Sequence, residues 1–255
     1  MDLLDRRAQR NPEELAYTFL AEGVELSLSN GELDRRVKTV AALLQKIVAK
    51  GERALLLYPP GLDYVVAFWG CLYAGVIAVP AYPPRLNRNL LRLQAIAEDS
   101  GATLALTTTQ ILGKVDSLLA QTPNLKVLKW QATDNLTPEL THQWRPTQVN
   151  GETLAYLQYT SGSTAAPKGV MVSHDNVLSN STAIAHGFGH SSQSLSLSWL
   201  PHFHDMGLVD GIIQPLYSGF RALLMSPASF LQSPLRWLKA ISKYQVTHSG
   251  GPNFA

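Results

Sequence analysis

The chain has 255 residues, 45% of them hydrophobic and 16% charged, with a net charge of +2. Those values describe a globular protein able to bury one large or two small cores, and they exclude a disordered chain. With no basic stripe and no block of like charges, nothing points to a nucleic-acid surface.

The opening residues, MDLLDRRAQRNPEEL, are charged and lack the apolar core of a secretory signal. Ser29-Asn30-Gly31-Glu32 reads as a capping box that starts an amphipathic helix, ELDRRVKTVAALLQKIVA. The strand ALLLY (54–58) follows. The stretch 64–84, YVVAFWGCLYAGVIAVPAYPP, carries no charge and is long enough to span a bilayer. Gly70, Gly75 and Pro80 divide it, so a buried helix (62–74) and a buried strand (76–80) are predicted instead, with no membrane span. Cys71 lies inside it. A single cysteine allows no disulfide within the chain and fits a reducing compartment such as the cytoplasm.

A helix near 87–99, the strand TLALT (103–107), a helix near 109–120 and the strand KVLKW (126–130) come next. The looser stretch 131–152 suggests a boundary, giving a first α/β lobe at 1–150 and the start of a second at 151–255. Strands LAYLQY (154–159) and GVMVSH (169–174), a helix at 175–186, and strands SLSW (196–199) and ALLMS (222–226) continue the alternation. Ser233-Pro234 reads as the cap and first-turn proline of LRWLKAISKY. The fold class is therefore α/β, with mostly parallel sheets wrapped by helices.

In such sheets ligands collect at loops that leave the carboxyl ends of strands. Three unusual loops occupy such positions: YTSGSTAAPKG (159–169), PHFHDMG (201–207) and GGPNFA (250–255). In the first, Gly162 lets backbone approach a ligand, and successive N–H groups can form an anion nest. Thr160, Ser161, Ser163 and Thr164 add hydroxyls, and Lys168 adds a mobile charge. These groups suit the phosphates of a nucleotide; a polar turn between two strands is the plain alternative. Pro167 before Lys168 and Gly169 after it depart from a Walker A loop. His202 and His204, beside Asp205, could ligate a metal, but no second cluster completes a tetrahedral site, so no metal residues are assigned.

YTSGSTAAPKG resembles the phosphate-binding signature of the adenylate-forming superfamily, which includes acyl-CoA synthetases, luciferases and peptide-synthetase adenylation domains. Ala165 stands where that signature usually has Gly. Residues 54–84, 157–174, 198–227 and 230–255 resemble the fatty acyl-AMP ligase branch. The resemblance implies that ATP, with Mg²⁺, and a fatty acid give acyl-AMP and pyrophosphate. The acyl group would then pass to an acyl carrier protein. By the same resemblance, Thr160, Ser161, Gly162, Ser163, Thr164, Lys168 and Gly169 hold the nucleotide phosphates. His204 and Lys168 take catalytic roles. His204, Asp205, Met206, Gly207, Gly251, Pro252 and Asn253 meet the acid and its chain. Members are usually about twice this length, which implies that the chain is an N-terminal part of such an enzyme, without the C-terminal domain, and inactive alone. A fatty acyl-CoA ligase and a non-catalytic nucleotide- or partner-binding fragment stand as the alternatives.

Overall fold

The computed structural model describes residues 2–84, 90–120, 122–160, 167–253 and 255. In chain order, helix α1 (Asp2–Arg10) precedes strands β1 (Leu15–Ala21) and β2 (Val24–Ser29), then α2 (Asn30–Ile47), β3 (Arg53–Leu56), α3 (Leu62–Ala74) and β4 (Ile77–Pro80). There follow α4 (Leu91–Ser100), β5 (Leu104–Thr107), the short helices α5 (Thr109–Leu112), α6 (Val115–Leu118) and α7 (Pro123–Lys126), and β6 (Lys129–Ala132). A 3₁₀ turn (Pro138–Gln143) leads to β7 (Leu154–Tyr159), β8 (Gly169–Ser173), α8 (His174–Phe188) and β9 (Leu195–Ser198). The last elements are α9 (Asp205–Leu208), a π-helical turn (Val209–Ile213), α10 (Gln214–Ser218), β10 (Arg221–Met225), α11 (Pro227–Gln232) and α12 (Leu235–Tyr244).

These elements form two bodies. The first comprises Met1–Asp34, Pro60–Leu62 and Asn176–Ala255; the second comprises Arg35–Pro59 and Asp63–Asp175. The first holds a sheet of order β2-β1-β10-β9, antiparallel at β1/β2 and parallel elsewhere. The second holds a sheet of order β6-β5-β3-β4-β7-β8, parallel except for β8. The first sheet draws strands from both ends of the chain, and the boundary expected at 150/151 falls inside the second body.

In the second body the uncharged run folds as expected. Tyr64, Phe68 and Cys71 on α3 are fully buried, each large side chain contributing about 1.5–3 kcal/mol of transfer free energy. A Cβ on Gly70 would stand 2.6 Å from Val40 Cγ1, so a glycine lets α3 approach α2. Burial pushes the Cys71 thiol up, leaving it an inert packing group. Among the described residues no helix is long and apolar enough to cross a membrane. Leu55, Val79, Leu93, Ala105 and Leu157 pack into one core.

The cap at Ser29 forms: its Oγ accepts the Glu32 N–H at 3.3 Å. Elsewhere local structure departs from the pattern. The helix expected over 109–120 breaks near Gly113 into α5 and α6, and α7 occupies the start of the strand expected at 126. Ser226, not Ser233, supplies a side-chain cap: its Oγ accepts the Ser229 N–H at 3.0 Å and opens α11. At α12 Ser233 contributes its carbonyl to the Arg236 N–H at 2.9 Å.

Candidate functional site

The second body carries one candidate stretch on a hairpin. β7 and β8 pair antiparallel with Tyr159 opposite Gly169, and the Thr160 N–H donates to the Lys168 carbonyl at 3.2 Å. That bond closes the neck of the loop; Ser161, Gly162, Ser163, Thr164, Ala165 and Ala166 lie outside the described residues. Two anchors fix the neck. The Tyr159 hydroxyl donates to Asp99 Oδ2 at 2.6 Å, and the Arg92 guanidinium donates to the Thr160 carbonyl at 2.5 Å. Burial, reinforced by the Asp99 carboxylate, raises the Tyr159 phenol and keeps it a donor. A Cβ on Gly169 would come within 2.9 Å of the Tyr159 ring, so packing requires glycine there. Lys168 is exposed, with no hydrogen-bond or ion-pair partner among the described residues. An unpaired ammonium can bind an oxyanion.

The first body presents the histidine stretch. β9 delivers the buried residues Trp199 and Leu200 to a tight turn, where the His204 N–H donates to the Pro201 carbonyl at 3.0 Å. His204 has extended backbone (φ −97°, ψ 149°) and precedes α9. Its Nδ1 stands 2.5 Å from Asp205 Oδ1. The same carboxylate oxygen accepts the Met206 N–H at 2.7 Å. Asp205 thus holds the imidazole and the start of α9 together. The contact favours a proton on Nδ1. His204 is half exposed, so a ligand can reach it.

Glycines set the packing around that turn. A Cβ on Gly207 would lie 2.2 Å from the Pro201 carbonyl oxygen, a contact with backbone that no rotamer relieves. A Cβ on Gly250 would lie 2.9 Å from Met206 Cε. A Cβ on Gly251 would meet Trp199 at 3.5 Å. The structure therefore brings Met206, Gly207, Gly250 and Gly251 together around the β9 end. Trp199 stacks on Phe230 with ring centroids 3.7 Å apart, forming an aromatic wall there. Pro252 is half-buried and accepts the Ala255 N–H at 3.0 Å, while Asn253 is exposed.

One group missed in the sequence is Asp210. It sits in the π-helical turn, and burial raises its carboxyl above the ordinary range. π-turns recur at functional sites. The available signal was a lone carboxylate inside the apolar run GLVDGII. The metal reading of the histidines gains no geometry: among the described residues no group of three or more His, Cys, Asp or Glu side chains could hold an ion.

The chain is similar to several known proteins. The family model described as AMP-binding enzyme matches residues 4–253. The chain is 48% identical to the medium-chain-fatty-acid–[acyl-carrier-protein] ligase JamA of Moorena producens, over 100% of this chain and 44% of that protein. It is 37% identical to a long-chain-fatty-acid–AMP ligase of Mycobacterium tuberculosis, over 96% of this chain and 44% of that one. The crystal structure of a fatty acyl-adenylate ligase from L. pneumophila, in complex with acyl adenylate and pyrophosphate, superimposes with a TM-score of 0.93. It is 43% identical, over 99% of this chain and 44% of that one. The chain thus spans less than half the length of the curated relatives it matches. The match across residues 4–253 establishes that the chain belongs to the AMP-binding enzyme family.

Proposed function

We propose that the full-length protein activates fatty acids as acyl-adenylates and hands the acyl group to an acyl carrier protein. The observation that carries this reading is the 43% identity, over 99% of this chain, to a fatty acyl-adenylate ligase holding acyl adenylate and pyrophosphate. The similarity to a fatty-acid–[acyl-carrier-protein] ligase supports the carrier-protein acceptor.

In this reading a carboxylate oxygen of the acid attacks the α-phosphorus of ATP. The bond to the bridging oxygen breaks, and pyrophosphate leaves with its electron pair. Thr160, Ser161, Gly162, Ser163, Thr164 and Gly169 line the departing pyrophosphate, and Lys168 offsets its growing charge. Mg²⁺, if bound with the nucleotide, would offset phosphate charge alongside Lys168. The His204 ring meets the oxygens where carboxylate meets α-phosphate, and Asp205 fixes its orientation. Met206, Gly207, Gly251, Pro252 and Asn253 line the start of the acyl chain. A carrier-protein thiol then attacks the acyl carbon and AMP departs. The buried thiol of Cys71 suits the cytoplasm, where we place the protein.

The test is acyl transfer by the full-length protein from fatty acid and ATP to holo-acyl carrier protein, with CoA in parallel. Thioester on the carrier protein supports the proposal; thioester on CoA alone favours an acyl-CoA ligase.

A further inference from the structure

The second body holds a cleft of about 230 Å³ that adenylation leaves unused. Its place follows from the order of the sheet. From β3 the chain passes through α3 to β4 on one side; from β5 it passes to β6 on the other. β3 and β5 are neighbours, so their connections leave in opposite directions. Open parallel sheets hold small ligands at such a switch point, outside the carboxyl ends of the strands. The cleft lies at that edge. Its floor includes Thr133 and Asp134, which follow β6. Thr133 Oγ1 shares a 2.7 Å hydrogen bond with the hydroxyl of Tyr58, just after β3. Asp134 Oδ1 accepts both the N–H and the hydroxyl of Thr109, just after β5, each at 2.8 Å.

The charges on the walls select a ligand. Arg36 is already bound to Asp63 at 2.6 Å. Arg35 also lines the cleft and has no side-chain partner among the described residues. Asp134 has two fixed donors on Oδ1 and no cation partner among the described residues. Val40, Val66 and Leu136 supply apolar surface in the same cleft. A lining with one unpaired cation, one unpaired carboxylate and an apolar wall disfavours a plain anion, which Asp134 repels. A plain cation is disfavoured by Arg35 in the same way. We propose that this cleft binds a small zwitterion of apolar amino-acid type, its carboxylate on Arg35 and its ammonium on Asp134. The cleft can hold a molecule of that size, and it is separate from the β7–β8 hairpin that carries the phosphate loop.

The test titrates the labelled 255-residue chain, without ATP, with glycine, alanine, valine and leucine. Arginine side-chain and backbone NMR signals are followed at Arg35 and Asp134. The deaminated and decarboxylated analogues of leucine, 4-methylpentanoate and 3-methylbutylamine, are the paired controls. The proposal expects saturable shifts with an apolar amino acid, and binding weaker by roughly tenfold for either analogue. R35Q and D134N should each weaken binding by roughly tenfold, whereas R53Q, on β3 and not in the cleft lining, should not. Backbone spectra of each variant report its fold directly. Absence of saturable shifts with all four amino acids overturns the proposal. So does an analogue that binds as well as leucine, or undiminished binding in R35Q.

Discussion

Asp205 Oδ1 stands 2.5 Å from His204 Nδ1 while accepting the Met206 N–H at 2.7 Å, so one carboxylate oxygen sets both the ring and the start of α9. If His204 meets the reacting oxygens, His204→Ala lowers adenylation by about 10²-fold or more in the full-length enzyme. Asp205→Asn acts only through the ring and the α9 N–H. It should lower kcat by roughly tenfold, with little effect on the KM for ATP. Equal losses of kcat in both variants, or a raised KM for ATP in Asp205→Asn, would contradict this division of roles.

Gly207 is a packing requirement. A methyl there would sit 2.2 Å from the Pro201 carbonyl oxygen. Gly207→Ala should cost about 1–3 kcal/mol by urea unfolding. Gly187, in α8, has open space where a methyl would point, with nothing within 4 Å, and Gly187→Ala should stabilise by up to about 1 kcal/mol. The contrast in sign separates the steric account from a general intolerance of alanine.

The neck of the β7–β8 hairpin couples two residues. Gly169 faces the Tyr159 ring, and the Tyr159 hydroxyl is tied to Asp99. Tyr159→Phe removes the tie and should cost about 1 kcal/mol. Gly169→Ala should cost about 1–3 kcal/mol in the parent and less in the Tyr159→Phe background, where the ring can retreat. Additive losses in the double-mutant cycle would show that the tie does not hold the ring.

Two groups of the first body give opposite pH trends. Burial raises the Asp210 carboxyl, so its charged form is disfavoured in the fold at neutral pH. Asp210→Asn should raise the melting temperature at neutral pH. The gain should fade as pH falls through the raised folded value toward 3.8, the ordinary one, where the parent is protonated in both states. His190 is lowered by burial and then by its neighbour His248, so the fold disfavours imidazolium. The unfolded chain therefore takes up the proton first, and stability present above pH 6.5 is lost as pH falls below it. His190→Asn should flatten that limb. A melting profile unchanged in shape by either variant would contradict these assignments.

Much of this was legible in the residues. The uncharged run resolved into α3 and β4 because Gly75 and Pro80 punctuate it, and period and length alone separate buried helix from buried strand. The alternation predicted a mostly parallel sheet. The pairing of N-terminal β1 with late β10 was not legible, because strand partners distant in sequence leave no local signal. The helices around residues 205–218 were missed as well: glycines and Pro215 interrupt the pattern, and the π-turn shifts its period. At the site, motif residues such as Lys168 and His204 stood out by chemistry. Asp210 did not, since a raised carboxyl depends on packing. Gly169 and Gly207 were read as ligand-facing, while the structure gives both a steric reason to be glycine.

The central claim is acid activation, and ATP–pyrophosphate exchange tests it most directly. The assay uses this chain continued to the full length of its relatives and compares fatty acids with amino acids. The account predicts exchange with fatty acids only, falling by about 10²–10³-fold in Lys168→Ala. Exchange with no acid, or exchange untouched by Lys168→Ala, would contradict it.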